Sequence, residues 1–168
     1  GDFYLSDEER AMVDQVKKAF RKVVVLLNVG GVIESAWFAQ EKKIQAALLI
    51  GQGGMCGGNA AAKALMGITN PSGKLVDTWA ADITDYPSTR GFFQSDDYVD
   101  YEDDIYVGYR YYTTRGMVDP DYNYDEEVQY SFGHGLSYTT FDESISNFTV
   151  DESKQTISVD VEVTNTGE

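Results

Sequence analysis

The sequence predicts an α/β chain: part of a layered α/β sandwich with parallel strands, then long loops, then the first strands of an antiparallel β-sandwich. Three observations predict it. Helical and strand-like stretches alternate from Ser6 to Trp79, which is the rhythm of an α/β layer fold. Two of those stretches, Val23 to Leu27 and Ile44 to Ile50, are continuous apolar runs. Strands buried on both faces of a parallel sheet read that way. Beyond Phe141, Phe148, Val150, Ile157, Val159, Val161 and Val163 fall near alternation, as in strands with one buried face.

The first element is a helix. Ser6 with Glu9 three positions on forms a capping box, in which each side chain bonds the other's backbone N–H. Asp7 and Glu8 suit the positive end of the helix, and Lys17, Lys18, Arg21 and Lys22 lie toward the negative end. Met12, Val13, Val16, Ala19 and Phe20 mark one buried face. After the first strand, Asn28-Val29-Gly30-Gly31 is a turn, and 33–41 suits a short helix. The second strand runs into a glycine-rich loop, Gly51 to Gly58. Asn59 caps a helix from Ala60 to about Met66, which Gly67 ends. Asn70-Pro71-Ser72-Gly73 is a turn, and Leu75 to Trp79 a third strand.

Past Ala80 helical periodicity disappears, and tyrosine and aspartate dominate. This stretch reads as long loops with short strands. Asp151-Glu152-Ser153-Lys154 then forms the turn of a hairpin that opens an antiparallel domain and is cut two strands in. The expected organisation is residues 1–141 in the α/β part and 142–168 in the antiparallel part.

Composition excludes several function classes. The 168 residues carry a net charge of −15. Residues 1–76 hold nine basic and seven acidic side chains, and residues 77–168 hold four and 21. An acidic half of that size repels nucleic-acid backbones and anionic membrane surfaces. No apolar run reaches the ~20 residues of a membrane helix. The N-terminus has neither the basic start nor the apolar stretch of a signal peptide. One cysteine and one histidine leave no internal disulfide and no basis for a metal site or another cofactor.

Few residues single themselves out as a site. The loop Gly51-Gln52-Gly53-Gly54-Met55-Cys56-Gly57-Gly58 lies between a strand and a helix, where α/β sheets bind ligands. It lacks the third glycine of a dinucleotide fingerprint and the Lys-Ser/Thr of a phosphate loop, so a tight turn is the better reading. Cys56, at a helix N-terminus, has only the distant His134 as a potential base. Asp96-Asp97, Glu102-Asp103-Asp104 and Asp125-Glu126-Glu127 are acidic clusters of the kind that solvate loops. Asn147-Phe148-Thr149 matches a short glycosylation sequon that chance alone supplies often.

Several stretches together resemble glycoside hydrolase family 3, the β-glucosidase-like enzymes. They are Gly1-Asp2-Phe3-Tyr4-Leu5-Ser6, the strand end Leu26-Leu27-Asn28-Val29-Gly30, and Asn70-Pro71-Ser72-Gly73-Lys74-Leu75. Asp104-Ile105-Tyr106-Val107-Gly108-Tyr109-Arg110-Tyr111-Tyr112 and Phe132-Gly133-His134-Gly135-Leu136-Ser137-Tyr138-Thr139-Thr140-Phe141 complete the set. Order and spacing fit along nearly the whole chain.

The resemblance implies the latter part of the family's α/β sandwich domain, followed by the start of its fibronectin type III-like domain. It also implies a retaining, exo-acting β-glycosidase as the whole enzyme. Its nucleophilic aspartate would lie on a β/α barrel and its acid/base glutamate in a short stretch just before the Gly-Asp-Phe-Tyr-Leu segment. Neither catalytic residue is then carried by this chain, whose role is to wall the sugar pocket and pack on the barrel. Gln52 and Cys56 are its expected substrate-side residues, with Cys56 standing where the family often has glutamate. The expected partners are the barrel and a β-glycoside or oligosaccharide, with a homodimer through an exposed strand edge as a further association. Two other readings stay open: a carbohydrate-binding or scaffolding module without chemistry, and a nucleotide-binding protein resting on the glycine loop alone.

Overall fold

The computed structural model describes residues 3–92 and 94–167, so Gly1 and Asp2 of the first motif and the terminal Glu168 lie outside the described residues. Helix α1 (Asp7–Ala19) begins at the capping box. Glu9 N–H donates to Ser6 Oγ at 3.2 Å, and Ser6 N–H donates to Glu9 Oε2 at 2.9 Å. The expected buried face is only half realised. Val13 and Val16 are half-buried, whereas Met12, Ala19 and Phe20 are exposed.

Strands β1 (Val23–Leu27) and β2 (Ile44–Leu49) pair in parallel, with Leu26 opposite Leu48 and Leu27 opposite Leu49. Between them lies α2 (Ala36–Ala39), shorter than the expected helix. Leu27, Phe38, Ile44 and Trp79 form the first core. Burial on both faces is not what this chain provides. Val24 on β1 is 50% exposed and Leu49 on β2 42%, because this sheet has two strands and one covered face.

Helix α3 (Gly57–Leu65) starts earlier than the sequence suggests. Cys56 is its N-cap, and Asn59 lies inside it rather than capping it. Its end follows expectation. Gly67, at φ 71°, closes the helix in the left-handed conformation, with Ile68 N–H on Lys63 O and Gly67 N–H on Ala64 O.

The third expected strand shrinks to β3 (Trp79–Ala80), which pairs antiparallel with β4 (Val128–Tyr130) and not with the parallel sheet. The cause is competition for backbone groups. Leu75 N–H is taken by His134 O and Leu75 O by Gly133 N–H, both at 2.8 Å.

Residues 81–127 are not loops throughout. Short 3-10 turns occupy Ile83–Asp85, Pro87–Thr89 and Asp104–Tyr106. Two helices follow, α4 (Tyr109–Val118) and α5 (Tyr124–Glu127). Helix α4 starts at Gly108, whose φ of 66° and ψ of −136° suit glycine. Its buried anchor is Tyr112, packed with Ala80 and Val128 inside a ring of Tyr86, Tyr111, Tyr122 and Tyr124. Tyrosines serve here as core residues, so aliphatic periodicity does not reveal the helix.

Strands β5 (Phe141–Asp151) and β6 (Thr156–Asn165) form the predicted antiparallel hairpin, turning through 152–155. The register slips between Ser146 and Thr149, where Asn147 has φ 52°. Ile145 faces Val161 and Val150 faces Ile157. One face therefore carries most of the aliphatics, with Glu143 among them opposite Val163, and the other carries pairs such as Ser144 with Glu162, Ser146 with Asp160 and Thr149 with Ser158. Ile145, Phe148, Val150 and all four apolar residues of β6 are exposed.

The chain exposes 12882 Å², where a compact monomer of 18.7 kDa exposes roughly 8,300 Å². Much of the excess is apolar: one face of the parallel sheet, the side of α1 that bears Met12, and the hairpin face.

Candidate functional site

Strands β1 and β2 end together, and Ile50 N–H donates to Leu27 O at 3.0 Å. The glycine loop leaves this carboxyl end, turning through Gly51 at φ 56° and Gly54 at φ 25°. It bounds an open cleft of about 810 Å³ lined by Asn28, Leu48, Ile50, Gln52, Gly57 and Ala61, among others. The crossing of strand ends is where an open parallel sheet presents ligand groups.

Gln52 lines this cleft and lies against Gly30, where an added Cβ would sit 3.0 Å from Gln52 Nε2. Gly53 is more tightly confined, since a Cβ there would come within 3.0 Å of the Gly57 Cα. Cys56 is exposed, makes no capping bond through its side chain and is not among the residues that line the cleft. His134 stacks obliquely on Tyr130, ring centroids 4.8 Å apart, and its backbone holds Leu75.

One acidic cluster has a clear local role. Asp125, Glu126 and Glu127 occupy the first turn of α5 beside the Asn123 cap, where carboxylates are favoured. Glu127 also pairs with Arg115 at 2.9 Å. Asp96 and Asp97 are exposed. Among the described residues no acidic cluster lines the glycine cleft. Among the described residues no group of His, Cys, Asp and Glu could hold a metal ion.

Two sequence motifs interlock. Asn70 Nδ2 donates to Ser137 Oγ at 2.8 Å and Asn70 Oδ1 accepts from Tyr138 N–H at 2.9 Å. Lys74 Nζ donates to Gly135 O, and Tyr138 OH donates to Ala64 O at 2.8 Å. A turn-residue reading of Asn70 does not reveal this clamp, because its partners lie 67 and 68 residues away. The profile of the glycosyl hydrolase family 3 C-terminal domain matches residues 1–138. The chain belongs to this family.

Family 3 relatives match closely. The chain is 54% identical over 141 residues to β-glucosidase A of Butyrivibrio fibrisolvens, covering 84% of this chain and 16% of that protein. It is 38% identical over 160 residues to an exo-α-(1→6)-L-arabinopyranosidase of Bifidobacterium longum, covering 94% of this chain and 19% of that protein. The crystal structure of a β-glucosidase from Paenibacillus barengoltzii superposes with TM-score 0.86 at 40% identity, covering 99% of this chain and 17% of that one. The chain therefore spans less than a quarter of the length of the family 3 relatives it matches here.

Proposed function

We propose that this chain is the latter α/β part of a retaining, exo-acting β-glucosidase-type enzyme, walling the sugar pocket and packing on a catalytic barrel. The observation that carries this reading is the 54% identity to a β-glucosidase along 141 residues. The uncovered apolar faces support it, since exposed apolar surface of that extent marks an interaction face. On this reading residues 1–141 belong to the α/β sandwich domain. Residues 142–168 open a fibronectin type III-like domain whose further strands cover the hairpin's apolar face.

Retaining hydrolysis needs a nucleophilic carboxylate and a proton donor ~5–5.5 Å apart across the bond. Among the described residues no acidic cluster lines the cleft, which supports a reading in which neither group comes from them. On this reading the aspartate nucleophile belongs to the barrel and the acid/base glutamate to the stretch just before Gly1. Gln52 borders the pocket and contributes a neutral hydrogen-bonding amide. Cys56, where the family resemblance implies a glutamate, is exposed and lies outside the cleft lining, so any part it takes in sugar preference depends on how the rest of the enzyme meets this loop. The presence of an arabinopyranosidase among the relatives fits variable sugar choice.

The test is hydrolysis of a chromogenic aryl β-glucoside by the chain alone and by the chain joined to its upstream sequence and barrel. Turnover only in the longer protein supports the reading. Enzyme-like turnover by the 168 residues alone overturns it. A second reading, sugar binding without chemistry, draws on exposed rings such as Tyr101, 89% exposed. Saturable binding of glucose oligomers by an otherwise inactive joined protein would favour it. The isolated chain is expected to associate through its open strand edges.

A further inference from the structure

We propose that Ser137, Tyr138 and Thr139 form a splint that joins the β5–β6 hairpin to helix α3, so that the hairpin holds one wall of the glycine-loop cleft in place. Helix α3 supplies that wall through Gly57, Ala61 and Ala64. Among the described residues, the hydrogen bonds that tie the hairpin to the chain before it run to Thr139 and Thr140. The splint is independent of what the cleft binds.

At the hairpin end, one carbonyl oxygen is shared. Asn165 Oδ1 accepts from Thr139 Oγ1 at 2.6 Å and from Gly167 N–H at 3.1 Å. Thr140 O accepts from Thr166 N–H at 2.8 Å and from Gly167 N–H at 3.2 Å. The approach is close enough to require glycine, since a Cβ on Gly167 would come within 2.7 Å of the Thr140 nitrogen.

At the helix end, Ala64 O accepts from Tyr138 OH at 2.8 Å and from Gly67 N–H at 3.0 Å. Carbonyls of a last helical turn lack helical partners, so these two bonds finish α3. Ala64 is 9% exposed and lines the cleft. The residue that Tyr138 grips is therefore itself part of the wall.

The middle of the splint is fastened as well. Ser137 Oγ accepts from Asn70 Nδ2 at 2.8 Å and from Thr139 N–H at 3.3 Å. Tyr138 N–H is held by Asn70 Oδ1 at 2.9 Å. Three consecutive residues are thus tied to a helix end, a turn and the hairpin, and none is left free to absorb a displacement. Contiguous hydrogen-bond networks of this kind carry coupling between distant parts of a fold. Two independent joints would instead respond separately, and their perturbations would add.

The experiment is hydrogen exchange by mass spectrometry on the intact enzyme containing this chain, with Asn165→Ala and Thr139→Val. Neither residue bonds to α3. Loss of the shared hydrogen bond is expected to speed exchange over 60–69 by about three- to tenfold, the range of one such bond, with β1 and β2 within about twofold. Thr139→Val keeps the side-chain shape and gives the same readout should Asn165→Ala fail to fold. Tyr138→Phe cuts the splint at the helix, so adding Asn165→Ala to it is expected to change nothing further over 60–69. Acceleration confined to 139–141 and 164–167, equal acceleration in β1 and β2, or full additivity with Tyr138→Phe overturns the inference. Exchange is read without substrate, so each of these results leaves the glycosidase reading untouched.

Discussion

The backbone N–H of Tyr138 donates to Asn70 Oδ1 at 2.9 Å, across 68 residues, and the Tyr138 hydroxyl reaches the last turn of α3 at Ala64 O. One residue thereby joins two distant motifs and a helix end. Asn70→Ala removes both of its bonds and leaves the Tyr138 amide without its partner, at a cost of about 1–3 kcal/mol. Hydrogen exchange is the direct check. The Tyr138 amide is expected to exchange faster in the variant, with the amides of β1 and β2 unaffected.

Arg115 Nη1 donates to both oxygens of Glu127, at 2.9 and 3.1 Å, and its guanidinium lies 4.4 Å from the centre of the Tyr122 ring. The ion pair is partly solvated, with 34% and 24% of the two side chains exposed, so its coupling is expected near 1 kcal/mol or below. Arg115→Lys keeps the charge but loses the planar contact with Tyr122. A double-mutant cycle with Glu127→Gln, followed by denaturant unfolding, separates the two. Arg115→Lys is expected to remain destabilising in the Glu127→Gln background, by roughly 0.5–1 kcal/mol from the ring contact.

These contacts show where the sequence was legible. The capping box at Ser6 and Glu9, the parallel pair β1–β2, the Gly67 helix end and the β5–β6 hairpin all rest on signals within a few residues, and all four form as read. The misreadings have tertiary causes. Leu75 looks like a strand residue, but His134 and Gly133 occupy its backbone from another motif. Helix α4 hides because its buried anchor is Tyr112 and its neighbours around that core are also tyrosines. Of the two site residues, Gln52 lines the cleft and Cys56 stands outside the lining.

Alkaline titration tests the tyrosine core. Burial pushes the Tyr122 phenol up to about 12, with the Glu127 carboxylate adding to the shift. Burial raises Tyr112 further still. An unfolded tyrosine titrates near 10. The fold therefore favours the protonated phenols. Their contribution is fully present below about pH 10 and is lost as pH rises toward and through the folded values. Phenolate absorbance is expected to show these two rings still protonated near pH 11, about one pH unit above the unfolded value, and then to rise with unfolding. Tyr122→Phe is expected to move the alkaline unfolding midpoint upward.

The hairpin face gives a test of context. Val159 and Val161 are 43% and 57% exposed, and Ile145 lies opposite Val161. In the isolated chain Val161→Asp removes apolar surface from water, so it is expected to raise solubility and lower dye binding to apolar patches. If further strands cover this face in the whole enzyme, as proposed, the same change places a carboxylate in a covered sheet face and destabilises by several kcal/mol. A thermal melt of both proteins decides the matter. Equal behaviour in the two would mean that this face is open in the enzyme as well.

The glycine loop allows Gln52 to be probed without mutating it. A methyl group at Gly30 would meet the Gln52 amide at 3.0 Å, a flexible side-chain end that can swing aside. Gly30→Ala is therefore expected to fold normally and displace Gln52 in the cleft. Gly53→Ala meets the Gly57 Cα at the same distance, but this is backbone at the start of α3 and cannot yield cheaply. That variant is expected to lose roughly 1–3 kcal/mol of stability. If Gln52 borders the sugar pocket, Gly30→Ala in the intact enzyme raises KM for an aryl β-glucoside with unfolding unchanged, and Gln52→Ala reproduces the rise without adding to it. An unchanged KM in both variants would place Gln52 outside the pocket and assign the cleft to packing against the rest of the enzyme.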